Sequence, residues 1–195
     1  MKEKQILSEA YFDSLSIAHK LDNSLDAFER NEIHLFAYFS AILFNYLGNP
    51  VEDWMYKFII SSSGYPHSKD LDDAFERNLL SGYFEENGNF LTITSRGTDE
   101  FNTFSKYFPT YIKRDTYIDA ACSTSILIPY NDTKIALLDD PALKTSLILK
   151  NDGWISYNYE KLKEITKAIG APIDDLLIPA VSWIEYLLKN NDVKG

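Results

Sequence analysis

The chain has 195 residues, 45% of them hydrophobic, and carries a formal net charge of −10 from 19 basic and 29 acidic side chains. That length suits one domain, or one domain with a helical annex, and it can bury a real core. The acidic balance argues against a protein working mainly on nucleic acid, and the single cysteine, Cys122, excludes an intramolecular disulfide framework.

Residues 1–30 read as one or two short helices, with Ile6, Tyr11, Phe12, Leu15 and Leu25 as core contacts. The opening MKEKQILSEAYF holds no apolar stretch long enough for a signal peptide, so a cytoplasmic protein is expected. The most apolar window is IHLFAYFSAILFNYL, residues 33–47. It falls short of the ~20 residues a bilayer needs, and it contains His34 and Asn45. A central buried helix over residues 32–47, apolar nearly all round, accounts for it, and no membrane association is expected. Gly48-Asn49-Pro50 ends that helix, and Pro50 opens another expected helix, VEDWMYKFII. Residues 61–66, SSSGYP, form a loop.

Residues 71–104 are the most informative stretch. Leu71, Ala74, Phe75 and Leu79 recur at helical spacing, with Asp72, Asp73, Glu76 and Arg77 on the opposite face. Gly82 stops that helix. Two strand-like runs, GYFEE and NFLTIT, are joined at Asn87-Gly88, a tight-hairpin signal. Thr94 then caps a helix expected to bury Phe101, Phe104 and Phe108. Helix, turn, helix, loop, helix and hairpin in this order describe a winged helix, with residues 69–80 in the recognition position. Asp70, Asp72, Asp73 and Glu76 outnumber Lys69 and Arg77 there, and DNA phosphates repel such a face. A winged helix that binds protein is the expectation.

Beyond residue 107 the reading is a helical annex. Residues 111–129 favour helix, ALKTSLILK is a short helix, and a stripe through Leu162, Ile165 and Ile169 ends at Gly170. A last stripe runs from Ile173 to Leu188, and Pro179 within it is expected to kink or break the helix. The expected fold class is therefore mainly α, a winged-helix domain with a small β-hairpin wing plus a C-terminal helical annex. The expected division is a helical extension at 1–31, the winged helix at 32–107 and the annex at 108–195.

No chemistry-bearing motif stands out. His19, His34 and His67 form neither HxxxH nor HxH spacing, and one cysteine cannot build a thiolate zinc site. No phosphate-binding glycine loop and no GxSxG elbow occur. The carboxylate pairs Asp72-Asp73, Glu85-Glu86, Asp139-Asp140 and Asp174-Asp175 are sequence neighbours, which on a helix or strand do not face one another. The expectation is a non-enzyme with no metal and no cofactor. The basic cluster Lys106, Lys113 and Arg114 is the candidate DNA contact, and Trp54, Tyr65, Trp154, Tyr157 and Tyr159 are the candidate partner anchors, aromatics being favoured as interface hot spots.

The segments LFAYFSAILFNYLGNPVEDWMYKF, AACSTSILIP and IGAPIDDLLIPAVSWIEYLL resemble the middle component of bacterial three-component ABC-ATPase defence systems of the Lamassu type. The resemblance rests on apolar and aromatic positions over about residues 33–190 and carries no catalytic residue across. It implies a small helical, winged-helix accessory subunit in the cytoplasm. Its partners would be an SMC-like ABC ATPase and a nuclease-type effector, acting against phage or plasmid DNA, with DNA reached only through the complex. A winged-helix transcriptional regulator is the alternative, for which a basic helix or wing would be expected; the wing here carries Glu85 and Glu86.

Overall fold

The computed structural model describes residues 5–25, 27–148, 160–172 and 175–192. It is mainly helical with a small antiparallel sheet. The chain begins with helix α1 (Ser8–Asp22), strand β1 (Phe28–Glu29) and helix α2 (Arg30–Tyr46). Glu29 and Glu32 cap α2 reciprocally, which satisfies two backbone donors that a helix start leaves open. From Ile33 to Leu43 every side chain of α2 is buried, as its apolar sequence requires.

After α2 the expected helix at residues 50–60 is absent. Val51–Trp54 form one 3-10 turn, and Met55 takes a positive φ of 79° that ends it. The β-branched pair Ile59–Ile60 becomes strand β2 and pairs antiparallel with β3 (Pro66–His67). Helix α3 (Lys69–Leu80) buries Leu71, Ala74, Phe75 and Asn78. Strands β4 (Phe84–Asn87) and β5 (Phe90–Ile93) follow, with Asn87 paired to Phe90. The two loop residues are thus Gly88 and Asn89 rather than Asn87 and Gly88, and Gly88 supplies the positive φ of 66° that the tight turn needs. β1 pairs with the outer side of β5, giving the sheet order β1-β5-β4.

Helix α4 (Ser95–Tyr107) starts at Thr94, whose Oγ1 accepts from the Gly97 N–H at 3.2 Å and donates to the Gly82 carbonyl at 2.8 Å. Pro109 then opens α5 (Pro109–Leu127), followed by α6 (Tyr130–Leu138), α7 (Pro141–Ile148), α8 (Glu160–Ile169) and α9 (Leu177–Asp192). Pro179 does not kink α9. The helix starts at Leu177, with the Asp175 carboxylate accepting from the Leu177 N–H at 2.9 Å, so Pro179 falls in the first turn, where no backbone partner is lost. Buried Asp140 ties the annex together. It accepts from the Tyr38 hydroxyl at 3.1 Å, the Ala142 N–H at 2.9 Å and the Trp183 indole at 3.3 Å.

The boundaries expected at residues 32 and 108 do not separate packing units. α1 lies against α2, α3, α4 and α5, and β1 belongs to the same sheet as the hairpin, so α1 and β1 are integral to the core. α5 packs on α1 and α2 as well as on α9. Phe12, Phe36, Phe39, Phe58 and Trp54 are fully enclosed in this shared interior. Truncating one such aromatic costs ~3–5 kcal/mol, a large share of a domain's stability. No helix among the described residues is long and apolar enough to cross a membrane.

Candidate interaction surface

The outward face of α3 is set by its inward one. Leu71, Ala74, Phe75 and Asn78 point to the core, which leaves Asp70, Glu76, Arg77 and Leu80 exposed and Asp73 half-buried. Leu80 is 83% exposed. A groove of about 890 Å³ runs between α3 and the start of α1, lined by Ile6, Tyr11, Asp73, Glu76, Leu80 and Glu100. The Tyr11 hydroxyl donates to Glu100 at 3.2 Å, and its burial, aided by the Glu100 charge, pushes the phenol pKa above its ordinary value. Glu85 and Glu86 on β4 are exposed, so the hairpin is acidic as well.

Behind this face, Asp72 joins three elements. Arg30 at the start of α2 reaches it at 2.9 Å and Glu76 at 2.6 Å, and the guanidinium lies over the Phe75 ring at 4.4 Å. His34 Nε2 stands 3.1 Å from one Asp72 oxygen and His67 Nε2 3.4 Å from the other, with the two imidazoles stacked at 4.9 Å. Partial burial raises the Asp72 pKa, but the hydrogen bond from His34 and the positive charge around the carboxylate outweigh it and bring the value down to about 2. Burial pushes the His34 pKa down, against the pull of Asp72.

His34, His67 and Asp72 bring three ligand atoms within 4.8 Å of one another, close enough to consider a metal. The hydrogen bonds do not fit one. His34 Nδ1 accepts the Ser68 backbone N–H at 3.2 Å, so the ring proton lies on Nε2 and is donated to Asp72. A ligating histidine needs that Nε2 lone pair free and its other nitrogen donating, the reverse of this arrangement. The Arg30 cation already occupies the same Asp72 oxygen. The cluster is a latch that holds α2, β3 and the first turn of α3 in register.

The sequence candidates separate sharply. Lys106 and Lys113 are exposed. Arg114 is 8% exposed and cannot meet DNA: its Nε and Nη2 donate to Asp13 at 2.6 and 2.7 Å, and Nη2 also donates to the Trp54 carbonyl at 3.0 Å. Its guanidinium stacks on the Trp54 ring at 3.7 Å, and the Tyr56 hydroxyl donates to the same carboxylate at 2.5 Å. Burial pushes the Asp13 carboxyl up, with Arg114 and Tyr56 pulling it back; burial disfavours the Arg114 charge, but Asp13 more than restores it. Trp54 is therefore a core residue and not a partner anchor, being 0% exposed. Tyr65 is half-buried against the core, with Lys134 Nζ 6.0 Å from its ring. Trp154, Tyr157 and Tyr159 lie outside the described residues.

Asp13 and Asp72 were absent from the sequence candidates. Asp13 had a readable signal, a lone acid inside the apolar run AYFDSLSIA, where a buried charge requires a partner. The Asp72 latch had none, because its members lie 38 residues apart from His34 and 42 from Arg30. No protein-family model, no curated protein and no solved structure matches the sequence.

Proposed function

We propose that this chain is a winged-helix protein acting as a non-catalytic subunit that binds other proteins. Its partners would be an SMC-like ABC ATPase and that ATPase's effector in a bacterial defence complex. The winged-helix reading is supported by the sheet order β1-β5-β4 and by the chain order α1, β1, α2, β2, β3, α3, β4, β5, in which the β2–β3 ribbon stands between α2 and α3, with α3 in the recognition position and the β4–β5 hairpin as wing. The observation that carries the functional reading is the outward face of α3. A helix offered to DNA must neutralise phosphates, and this one carries Asp70, Asp72, Asp73 and Glu76 against Lys69 and Arg77, with Asp73 paired to Lys69 and Glu76 to Arg30.

Internal pairing does not turn this face positive. Arg30 and Lys69 each engage α3 carboxylates, and the chain as a whole keeps its net charge of −10. Exposed Leu80 adds an apolar contact that a protein partner can cover and a phosphate backbone cannot. The identity of the partners rests on the resemblance of the apolar segments to the Lamassu-type middle component. Affinity purification of the tagged chain from cells expressing the neighbouring genes tests the reading. Stable co-purification of an ATPase is expected; recovery of the chain alone, together with full defence activity after its deletion, rejects it.

A further inference from the structure

Of the three histidines only His34 is buried, at 2% exposure. Both of its ring nitrogens are committed. Nδ1 accepts the Ser68 N–H at 3.2 Å, and Nε2 donates to Asp72 at 3.1 Å. Only the neutral ring can do both. A second proton must go on Nδ1, where it meets the Ser68 N–H donor against donor. The groups facing His34 give that charge little help. His67 from β3 stacks on the ring at 4.9 Å, and Arg30 from the start of α2 already holds the shared Asp72 oxygen at 2.9 Å. Asp72 from α3 is the acid of the set, and it also pairs with His67 at 3.4 Å. Burial, then His67 and Arg30, disfavour a charged His34, and Asp72 alone favours it. His19 sits elsewhere, on α1 against Phe101 and Asn23.

The segment that the Ser68 bond secures has little else to hold it. β2 and β3 have two residues each, and Ile59 is 39% exposed. The ribbon packs on α2 through β3 and on α7 through β2. Ser68 is the N-cap of α3, yet its side chain makes no capping hydrogen bond, and its buried Oγ has no partner among the described residues. Without the usual cap bond, the backbone bond to His34 fastens the head of α3 to α2. From Leu71 onward α3 is held by apolar burial that no proton touches, through Leu71, Ala74 and Phe75. We propose that His34 is an acid-operated catch on the β2–β3 ribbon and the head of α3: its second proton expels the Ser68 N–H, and residues 59–70 open while the rest of the fold stays closed. Lys69 and Asp70, which begin the acidic face of α3, move with the segment, so the catch couples pH to the presentation of that face. It acts in this way whatever partner the face binds.

The test uses the full chain, with nitrogen-labelled histidines followed by NMR and backbone hydrogen exchange followed by mass spectrometry. An open segment whose histidine titrates at about 6.5, against a closed one that refuses the proton, becomes about tenfold more populated between about pH 7.5 and about pH 5.5. The hold on the segment is thus present above about pH 6.5 and lost as pH falls below it. Exchange across residues 59–70, corrected for its intrinsic pH dependence, should rise by that factor while α4 and α5 stay protected. The His34 resonances should show an unprotonated Nδ1 at neutral pH and lose that pattern in step with the exchange. His34→Asn keeps an acceptor and cannot titrate, so it should abolish the pH response of the segment whatever its exchange at neutral pH; His67→Asn should retain the response. If His34→Asn does not fold, the histidine resonances of the unsubstituted chain decide alone. Exchange that is flat with pH, a His34 that takes its second proton while the Ser68 amide stays protected, or a response that spreads equally to α4 and α5 overturns the proposal. So does a response that His67→Asn removes and His34→Asn leaves.

Discussion

Arg114→Ala tests the buried network most sharply. The substitution removes a cation that makes two hydrogen bonds to Asp13 and stacks on Trp54 at 3.7 Å, and it leaves the fully buried Asp13 carboxylate with only the Tyr56 hydroxyl. Breaking a buried pair from one side costs ~3–5 kcal/mol, and the lost stacking adds ~0.5–2 kcal/mol. With a urea m-value of about 2 kcal/mol/M, the midpoint of unfolding should fall by roughly 2–3.5 M. Burial already raises the Asp13 pKa, and without Arg114 the rise is larger. A carboxyl whose folded pKa exceeds its unfolded value binds more protons when folded, so stability falls as pH rises from about 4 towards the folded value. The variant should therefore be more stable at pH 5 than at pH 8, relative to the unsubstituted chain. Adding Asp13→Asn should restore much of the loss by removing the uncompensated charge. Urea melts followed by tryptophan fluorescence at both pH values measure all three effects. A loss below ~1 kcal/mol, as for a surface ion pair, with no added pH dependence, would refute the account of this core.

Four further outcomes follow from particular contacts. A Cβ on Gly97 would stand 2.5 Å from the Tyr83 carbonyl oxygen and 2.7 Å from Ile93 Cγ1, so Gly97→Ala should cost ~1–3 kcal/mol and lower the thermal midpoint; an unchanged melt would show that α4 packs less tightly on the hairpin. His34 is held neutral by burial and by the Ser68 N–H on its Nδ1, so its folded pKa lies below its unfolded value. Stability should then decline as pH falls from about 6.5 towards that folded value, and the decline should flatten in His34→Phe. Asp72, brought down to about 2, contributes in the opposite range: its stabilisation is present above about pH 4 and is lost as pH falls towards 2, a loss that Asp72→Asn should remove from pH-dependent melts. Asp73→Lys/Glu76→Lys should shift stability by no more than ~1 kcal/mol, because each ion pair has a solvent-exposed partner, while weakening any complex with the proposed ATPase partner in a pull-down.

The middle of the fold was legible because local chemistry dictates it. The heptad-like burial of Leu71, Ala74 and Phe75, the glycine at position 88 and the cap at Thr94 each fix one element, and α3, the hairpin and α4 follow. β1 was illegible: two residues have no periodicity, and Phe28–Glu29 become a strand only because β5 offers an edge. Residues 51–60 misled because Pro50 followed by Val-Glu-Asp-Trp is a sound helix start, while the pull of Ile59–Ile60 into a ribbon with Pro66–His67 is a tertiary effect. α6 was missed, its apolar positions giving little amphipathic signal. Lys113 and Arg114 show the limit for sites. They are adjacent and alike in charge, yet one faces solvent and the other fills the core, because α5 turns successive side chains by about 100° and Asp13 waits on the inner side.

The central claim, that the acidic α3 face belongs to a protein binder and not to a DNA reader, is tested most directly by a side-by-side mass photometry titration at physiological salt. The purified chain is mixed with the proposed partner, an SMC-like ATPase, in one series and with duplex DNA in the other. The account predicts a discrete complex with the ATPase that is lost in Asp73→Lys/Glu76→Lys, and no complex with DNA at concentrations where the protein complex is saturated. Tight, sequence-dependent binding to DNA with no complex to the ATPase would contradict it.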